Sequence, residues 1–116
     1  MIDKIIGKYK DPIWFYIKIF IDDDNNIYSC FIENEMIYSS KANMVLMRHI
    51  RRKLKIDLDN VPVNWIDFCK IDTICNYLKE LELNVHKDVS NKKIIIITIN
   101  GKLSERDINK KSKNIK

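Results

Sequence analysis

A run of nine residues, Ile13 to Ile21, constrains the fold of this chain more than any other feature. All of them except Lys18 are β-branched or aromatic, and such residues favour a strand. Successive side chains of a strand point to opposite faces, so Ile and Phe fill one face and the other carries Trp14, Tyr16, Lys18 and Phe20. Because both faces are largely apolar, we predict that this strand lies inside a sheet and is covered on both sides.

The residues that follow predict an antiparallel meander. Asp22 to Asn26 predicts a polar turn, because Asp and Asn bond to their own backbone and tolerate left-handed conformations. A second strand is predicted over Ile27 to Ile32. After a turn at Glu33 to Glu35, a short third strand is predicted over Met36 to Ser39.

Two more strands are predicted towards the C-terminal end. Asn84 to His86 has the pattern of a short strand, and Ser90-Asn91 predicts a turn after it. Lys93 to Ile99 contains four consecutive isoleucines, which require burial on both faces and therefore a central place in the sheet. Asn100-Gly101 is predicted to end this strand.

The first predicted helix begins after Ser39 or Ser40, either of which can cap it, and reaches about Ile56. Helical spacing puts the apolar residues on one side of this helix, namely Met44, Leu46, Met47, Ile50 and Leu54.

Further helices are predicted in the middle of the chain. After a loop at Asp57 to Val61, Pro62 suits the first turn of a short helix that reaches Phe68 or Lys70. Asp72 is predicted to cap the next helix, over Thr73 to Leu81. Its inward stripe is Ile74, Tyr77, Leu78 and Leu81.

This order predicts an α+β fold, with an antiparallel β-meander followed by two or three helices and a central C-terminal strand. A length of 116 residues suits one compact domain, which we place at residues 1–103. Ser104 to Asp107 has the pattern that starts a helix, but the lysine-rich residues after it predict a basic, flexible tail over residues 104–116.

Charge alternates along the chain, although the net value is only +5. Residues 1–40 carry a net charge of −3 and residues 57–91 carry −4, whereas residues 41–56 and 92–116 carry +6 each. An acid-poor cationic block predicts binding to an extended anion, most commonly nucleic acid, either DNA or RNA.

Arginine is concentrated in the first of these blocks, on the side of the predicted helix that is opposite its apolar residues. Three of the four arginines of the chain lie there, and the planar guanidinium group matches phosphate with two hydrogen bonds. The candidate nucleic-acid-binding residues from both blocks are Arg48, Arg51, Arg52, Lys55, Lys92, Lys93, Lys110 and Lys111.

Two other interpretations of the basic blocks remain open. The arginine side of the helix can be a solvated surface that the acidic segments of the same chain neutralise. It can also face an acidic protein, which predicts a small regulatory modulator or inhibitor of the kind that viruses and mobile elements encode.

No metal or cofactor site is predicted. Asp22, Asp24, Asn26 and Glu33 have the spacing of a calcium loop, but Ile27 occupies the position that requires glycine, so a hairpin turn explains them. A zinc site at Cys69, Cys75 and His86 would lack a fourth ligand unless Cys30 lay close to them. We therefore expect the cysteines to act as small apolar residues.

No catalytic centre is predicted either. Asp22 to Asp24 at the end of a strand resembles the carboxylate arrangement of ribonuclease H, and the predicted order of elements is compatible with that family. The helix over residues 41–56 contains no acidic residue, however, and that family places a metal-binding glutamate there. We expect a protein that is not an enzyme.

Residues 41–101 also resemble a winged-helix unit, in the ending Tyr77 to Leu81 of the third helix and in the Lys92-Lys93 entry to the last strand. The resemblance implies that this third helix enters the major groove of DNA and that the last two strands form a wing.

The aromatic residues of the first hairpin allow a different mode of binding. Trp14, Tyr16, Phe20 and Tyr28 can form a platform on which bases stack, as in proteins that bind single strands, or they can pack into the core. No apolar run is long enough for a membrane helix, and residues 1–12 lack a signal-peptide pattern. We expect no membrane partner and a cytoplasmic location, in a cell or an infected host.

Overall fold

The structure is a computed structural model that describes residues 10–34, 39–54 and 68–111, with side chains as far as Ile108. The elements in chain order are β1 (Asp11–Ile21), β2 (Ile27–Glu33), α1 (Lys41–Leu54), α2 (Phe68–Glu80), β3 (Asn84–Asp88), β4 (Ile94–Leu103) and α3 (Glu105–Lys111). The predicted α+β class is confirmed.

The strands form one antiparallel sheet in the order β2-β1-β4-β3. It consists of two hairpins, β1–β2 and β3–β4, which are joined along the whole of β1 and β4, from the pair Asp11 and Leu103 to the pair Phe20 and Ile94. The predicted inner position of the first strand and the predicted central position of the isoleucine-rich strand are both confirmed.

The core lies on one face of the sheet, where all three helices pack. Every second residue of β1, beginning at Ile13, is buried there, together with side chains from each helix. The fully buried side chains include Phe15, Ile17, Ile19, Leu46, Ile50, Leu78, Ile97, Ile99 and Ile108. The other face of β1 is only half-buried, so the prediction that both faces are covered is wrong.

The predicted turn between β1 and β2 is confirmed, and its acidic residues serve the turn itself. One carboxylate oxygen of Asp22 accepts hydrogen bonds from the backbone N–H groups of Asp24 (3.0 Å) and Asn26 (2.8 Å). Asn25 has a φ of 64°, the left-handed conformation that asparagine tolerates.

Helix α1 begins at the predicted cap. The hydroxyl of Ser40 accepts a hydrogen bond from the Asn43 N–H (3.0 Å) and donates one to the carbonyl of Pro12 (2.7 Å), which also ties the helix to β1. The prediction that Met44 faces the core is wrong, because Met44 is 52% exposed and the fully buried Asn43 lies on the inner side instead.

Asn43 occupies the place of a missing strand neighbour. Strand β2 ends at Glu33, opposite Tyr16, and beyond it the backbone of Trp14 has no partner in β2. The side-chain amide of Asn43 donates to the carbonyl of Trp14 (3.1 Å) and accepts from its N–H (3.1 Å). Two backbone groups next to the core are thereby satisfied by one side chain.

Helix α2 begins earlier than the sequence predicts. It starts at Phe68, so Asp72 lies inside the helix, and the prediction that it caps the helix is wrong. The apolar stripe continues upstream to the buried Ile71, three residues before Ile74, and this extends the helical pattern. The predicted inward stripe is confirmed, since all of its members are buried.

Strand β4 does not end at Asn100-Gly101, as predicted, but continues to Leu103. Gly101 has a φ of +143°, and a Cβ atom there would lie 2.9 Å from a side-chain carbon of Leu83. Glycine thus allows a close approach within the strand rather than a break. Because β4 is paired with β1, the hairpin β3–β4 is part of the sheet and not the free wing that the winged-helix resemblance implies.

Helix α3 packs against the core, although its residues fall in the predicted tail. The Ser104 hydroxyl accepts a hydrogen bond from the Asp107 N–H (3.1 Å), as the sequence pattern predicts, and Ile108 is fully buried. Residues 112–116 lie outside the described residues, and the division into a domain and a tail stays a prediction.

Several other predictions also fall outside the described residues. They are the short strand that starts at Met36, the end of the first helix at Ile56, and the loop and short helix before Phe68.

Candidate nucleic-acid interface

Arg48 and Arg52 form an exposed cationic surface on α1, which we call the arginine surface. The two residues are one helical turn apart, about 6 Å along the axis, and therefore share one side of the helix. Within residues 10–34, 39–54 and 68–111, no carboxylate lies within salt-bridge distance of either arginine. An open cationic surface is one of the conditions of the nucleic-acid interpretation, which also relies on the basic residues near the C-terminal end.

The helix turns these arginines outward because its opposite side is held in three ways. Apolar residues including Leu46 and Ile50 are fully buried against the sheet. Asn43 is bonded to the backbone of β1, and a carboxylate oxygen of Asp11 accepts a hydrogen bond from the Ala42 N–H (3.3 Å). A negative charge at that position also interacts favourably with the helix N-terminus.

Arg51 has a different environment from its neighbours. It is half-buried, and its guanidinium group donates a hydrogen bond to the carbonyl of Ile32 in β2 (3.0 Å). Among the described strands β2 is at the edge of the sheet, and this bond gives a carbonyl of that edge strand a partner from the helix layer. Arg51 therefore joins α1 to the sheet, a role that the sequence pattern did not indicate.

The lysine residues of the predicted set lie at opposite ends of the sheet. Lys92 and Lys93 are exposed just before β4, where the Lys93 carbonyl accepts a hydrogen bond from the Ile21 N–H (2.8 Å), beside the acidic turn that starts at Asp22. Lys110 and Lys111 belong to α3, beyond the other end of β4. The ten residues of β4, about 30 Å of extended chain, lie between Lys93 and the start of α3.

Helix α3 meets α1 at the end that is remote from the arginine surface. The Lys41 ammonium lies 3.6 Å from a carboxylate oxygen of Glu105; the Lys41 side chain is exposed and Glu105 is half-buried. Arg48 lies seven residues after Lys41, which is about 10 Å further along the axis of α1. The structure thus brings Arg48 and Arg52 together and does not gather the whole predicted set into one cluster. Lys55 lies outside the described residues.

The sheet presents a second surface, the aromatic face, on the side away from the helices. It consists of the half-buried Trp14, Tyr16 and Phe20 and the exposed Tyr28 and Phe31. The sequence had indicated all of these residues except Phe31. The sequence pattern could have indicated Phe31 as well. Side chains alternate between the two faces of a strand, so Phe31 lies on the outer face when its neighbours Cys30 and Ile32 are buried.

The described cysteines and acidic residues do not gather around a metal site. No group of three or more His, Cys, Asp or Glu side chains is placed to share an ion in the parts of the chain that the structure describes. Burial raises the pKa of the Cys30 thiol to about 12 and is the main cause that raises the pKa of Cys75. Both thiols stay protonated at neutral pH, which suits apolar packing and not nucleophilic chemistry.

Comparison of the chain with models of known protein families, with curated proteins and with solved structures found no match. None of the helices among the described residues combines the length and the apolar character needed to cross a bilayer. Function therefore has to be inferred from the two surfaces themselves.

Proposed function

We propose that this protein is not an enzyme and binds nucleic acid through the arginine surface of α1. The observation that carries the proposal is that Arg48 and Arg52 are exposed on one side of a rigidly docked helix, with no described carboxylate in salt-bridge distance. Two guanidinium groups about 6 Å apart can each donate paired hydrogen bonds to a phosphate.

Binding of this kind is driven by the release of counterions from the phosphate backbone, so affinity falls as salt is added. The proposal assigns secondary roles to the exposed Lys92 and Lys93 and to Lys110 and Lys111, which extend the positive potential without touching the same phosphates. DNA and RNA share this chemistry, and both serve as probes.

The direct test reverses the charge of both arginines in the double variant Arg48→Glu/Arg52→Glu. We expect affinity for a labelled oligonucleotide to fall at least tenfold at low salt. The slope of log affinity against log salt should become shallower by about 1.8 for duplex DNA and by about 1.4 for a single strand, since each lost phosphate contact contributes about 0.9 and about 0.7, respectively. Fluorescence anisotropy over a salt series, with duplex and single-stranded probes, measures both quantities.

The matched control is Lys79→Glu/Lys87→Glu, which makes the same change in net charge on α2 and β3. Both lysines are exposed, and Lys87 forms a surface ion pair with Asp72 (3.6 Å). Because such pairs contribute little, we expect the control variant to keep nearly the same free energy of unfolding. If the two double variants lose the same amount of affinity, the loss is caused by the net charge of the protein and not by the arginine surface, which would contradict the proposal. Arg51 is left unchanged, because its bond to β2 would mix stability with binding.

A protein partner is the second candidate, and the exposure of Met44 favours it. Met44 lies one turn before Arg48 on the same side of α1, so an apolar side chain is bordered by a cation, as in many protein interfaces. This arrangement suits an acidic partner and a role as a modulator or inhibitor. The variant Met44→Ser should weaken such a nuclease-resistant complex while leaving oligonucleotide affinity unchanged.

A further inference from the structure

Three rings of the aromatic face are in contact across the two strands of the first hairpin. Phe20 of β1 lies between the other two, with ring centroids 6.1 Å from Tyr28 and 5.8 Å from Phe31. The Phe31 ring is nearly perpendicular to that of Phe20, an edge-to-face contact that holds both rings in place. The outward sides of these rings remain open to solvent, as Tyr28 is 55% and Phe31 46% exposed.

A bulge in β2 brings Tyr28 to this face. Ile21 of β1 pairs with Ile27 and Phe20 pairs with Ser29, so Tyr28 is an extra residue without an opposite partner. Strict alternation would direct its side chain towards the core, but a bulge re-aims side chains, and the Tyr28 ring instead contacts Phe20. An apolar ring is therefore turned outward where the simple strand pattern would bury it.

A cation lies among the rings of this face. Lys18 is opposite Phe31 on one side and Ile96 on the other, and its ammonium is 5.8 Å from the centroid of the Phe20 ring. Lys102 is exposed on the same face near the other end of the sheet. The two carboxylates of this face lie on the outer strands: Glu33 of β2 accepts a hydrogen bond from the Tyr16 hydroxyl (2.9 Å), and Asp88 of β3 pairs with Ile96.

The aromatic face and α1 meet at the edge of β2. Arg51 reaches from α1 to the carbonyl of Ile32, the residue next to Phe31. A chain that lies across Phe31 and leaves the sheet over this edge therefore passes Arg51 and arrives at the helix that carries the arginine surface.

We propose that the aromatic face stacks the bases of a single-stranded nucleic acid, whose backbone crosses the β2 edge towards the arginine surface. Every base has a face that can stack on an aromatic ring, and such stacking tolerates any sequence. Lys18 supplies charge to the phosphates between stacked bases. This inference rests on the proposed function and adds to it the class of nucleic acid and the residues that select it.

The test uses the full chain and labelled oligonucleotides of about twelve nucleotides, a length within the site sizes of single-strand binders. The probes are oligo-dT, oligo-U, an abasic strand of equal length and a duplex. We expect Phe31→Ala and Tyr28→Ala each to weaken oligo-dT or oligo-U binding about five- to a hundredfold. The abasic strand should bind the unmodified protein more weakly, and neither substitution should change that binding.

Two controls separate stacking from general damage. Val89→Ala removes an exposed apolar side chain just after β3, at the opposite edge of the described sheet from β2, and should leave oligo-dT binding unchanged. Phe31→Tyr keeps the aromatic ring and should retain binding, whereas Phe31→Leu keeps apolar bulk without a ring and should lose it. Tighter binding of oligo-U than of oligo-dT identifies RNA as the preferred strand, and the opposite order identifies DNA.

The outcomes distinguish this inference from the proposed function. If Phe31→Ala and Tyr28→Ala bind all probes like the unmodified protein while Arg48→Glu/Arg52→Glu does not, the stacking surface is refuted and the arginine surface stands. If no probe binds, both proposals fall. If Phe31→Ala converts a dimer into a monomer without weakening oligo-dT binding, the aromatic face is a self-association surface and the inference is overturned.

Discussion

The hydroxyl of Tyr77 is a polar group inside the core of the protein. Tyr77 lies on the inner side of α2 with only 5% of its surface exposed, and its hydroxyl has no hydrogen-bond partner among the described residues. A buried polar group without a partner loses its hydration and gains nothing in return. The same burial raises the pKa of this hydroxyl to about 12, because the charged form would be still more costly to bury.

We therefore predict that Tyr77→Phe is more stable than the unmodified protein, by about 1 kcal/mol in the free energy of unfolding at neutral pH. Urea denaturation followed by circular dichroism measures this change. A loss of stability would show that the hydroxyl is satisfied and contradict the prediction.

The same variant should respond differently to alkali. The pKa of Tyr77 in the folded protein is raised from its ordinary value of 10 to about 12. Between these two pH values the unfolded chain releases the Tyr77 proton and the folded protein keeps it, so the free energy of unfolding falls as the pH rises from about 10 towards 12. Tyr77→Phe should lose stability less steeply over this window. The remaining slope includes Cys30, whose pKa is raised in the same direction.

At the scale of elements, most strands and helices follow from local patterns, and the errors occur where a distant element decides. Alternation and helical spacing predict β1, β2, β4 and α1, since these segments bury one regular side. The burial of Asn43 could not be predicted, because it depends on where β2 ends and leaves the Trp14 backbone unpaired. The cap prediction failed at Asp72 because this carboxylate is exposed inside the helix and pairs with Lys87 of β3, a partner that no local pattern reveals. The predicted end of β4 failed because glycine suits a close approach of two chains as well as a turn.

The docking of α1 on β1 should depend on Asn43. Replacement by alanine leaves both the N–H and the carbonyl of Trp14 without a partner near the core. We expect Asn43→Ala to lower the free energy of unfolding by about 2 to 4 kcal/mol. Chemical denaturation measures the loss, and Ser39→Ala, which removes only one acceptor of the Asn43 amide, should cost less. Equal costs would refute this view of Asn43.

At the scale of the whole molecule, neither the order of the strands in the sheet nor the relative positions of the charged and aromatic surfaces could be predicted from the sequence. Local patterns indicate that a segment is a strand but not which strand it pairs with, and the pairing of β1 with β4 joins residues far apart in the chain. The two basic blocks look equivalent in composition. Only the fold shows that Lys92 and Lys93 lie beside the acidic turn, whereas no described carboxylate lies within salt-bridge distance of Arg48 or Arg52.

Helix α3 should contribute to the stability of the whole domain. Ile108 is fully buried, and replacing a buried isoleucine by alanine commonly costs about 2 to 5 kcal/mol. We expect Ile108→Ala to lower the thermal unfolding midpoint of the entire protein, in one transition seen by circular dichroism and by calorimetry. The exposed Arg106→Ala on the same helix serves as the control, and equal midpoints for the two variants would contradict the prediction.

The pairing of β1 with β4 has a consequence for how the protein is made. Leu103 leaves the ribosome 70 residues after Glu33, which completes the first hairpin. At the usual speed of translation this interval is roughly 4 to 14 seconds, far longer than a hairpin needs to form. During that time β4 is not yet available to pair with the inner edge of β1, and unpaired backbone groups of this kind are a template on which another strand can pair.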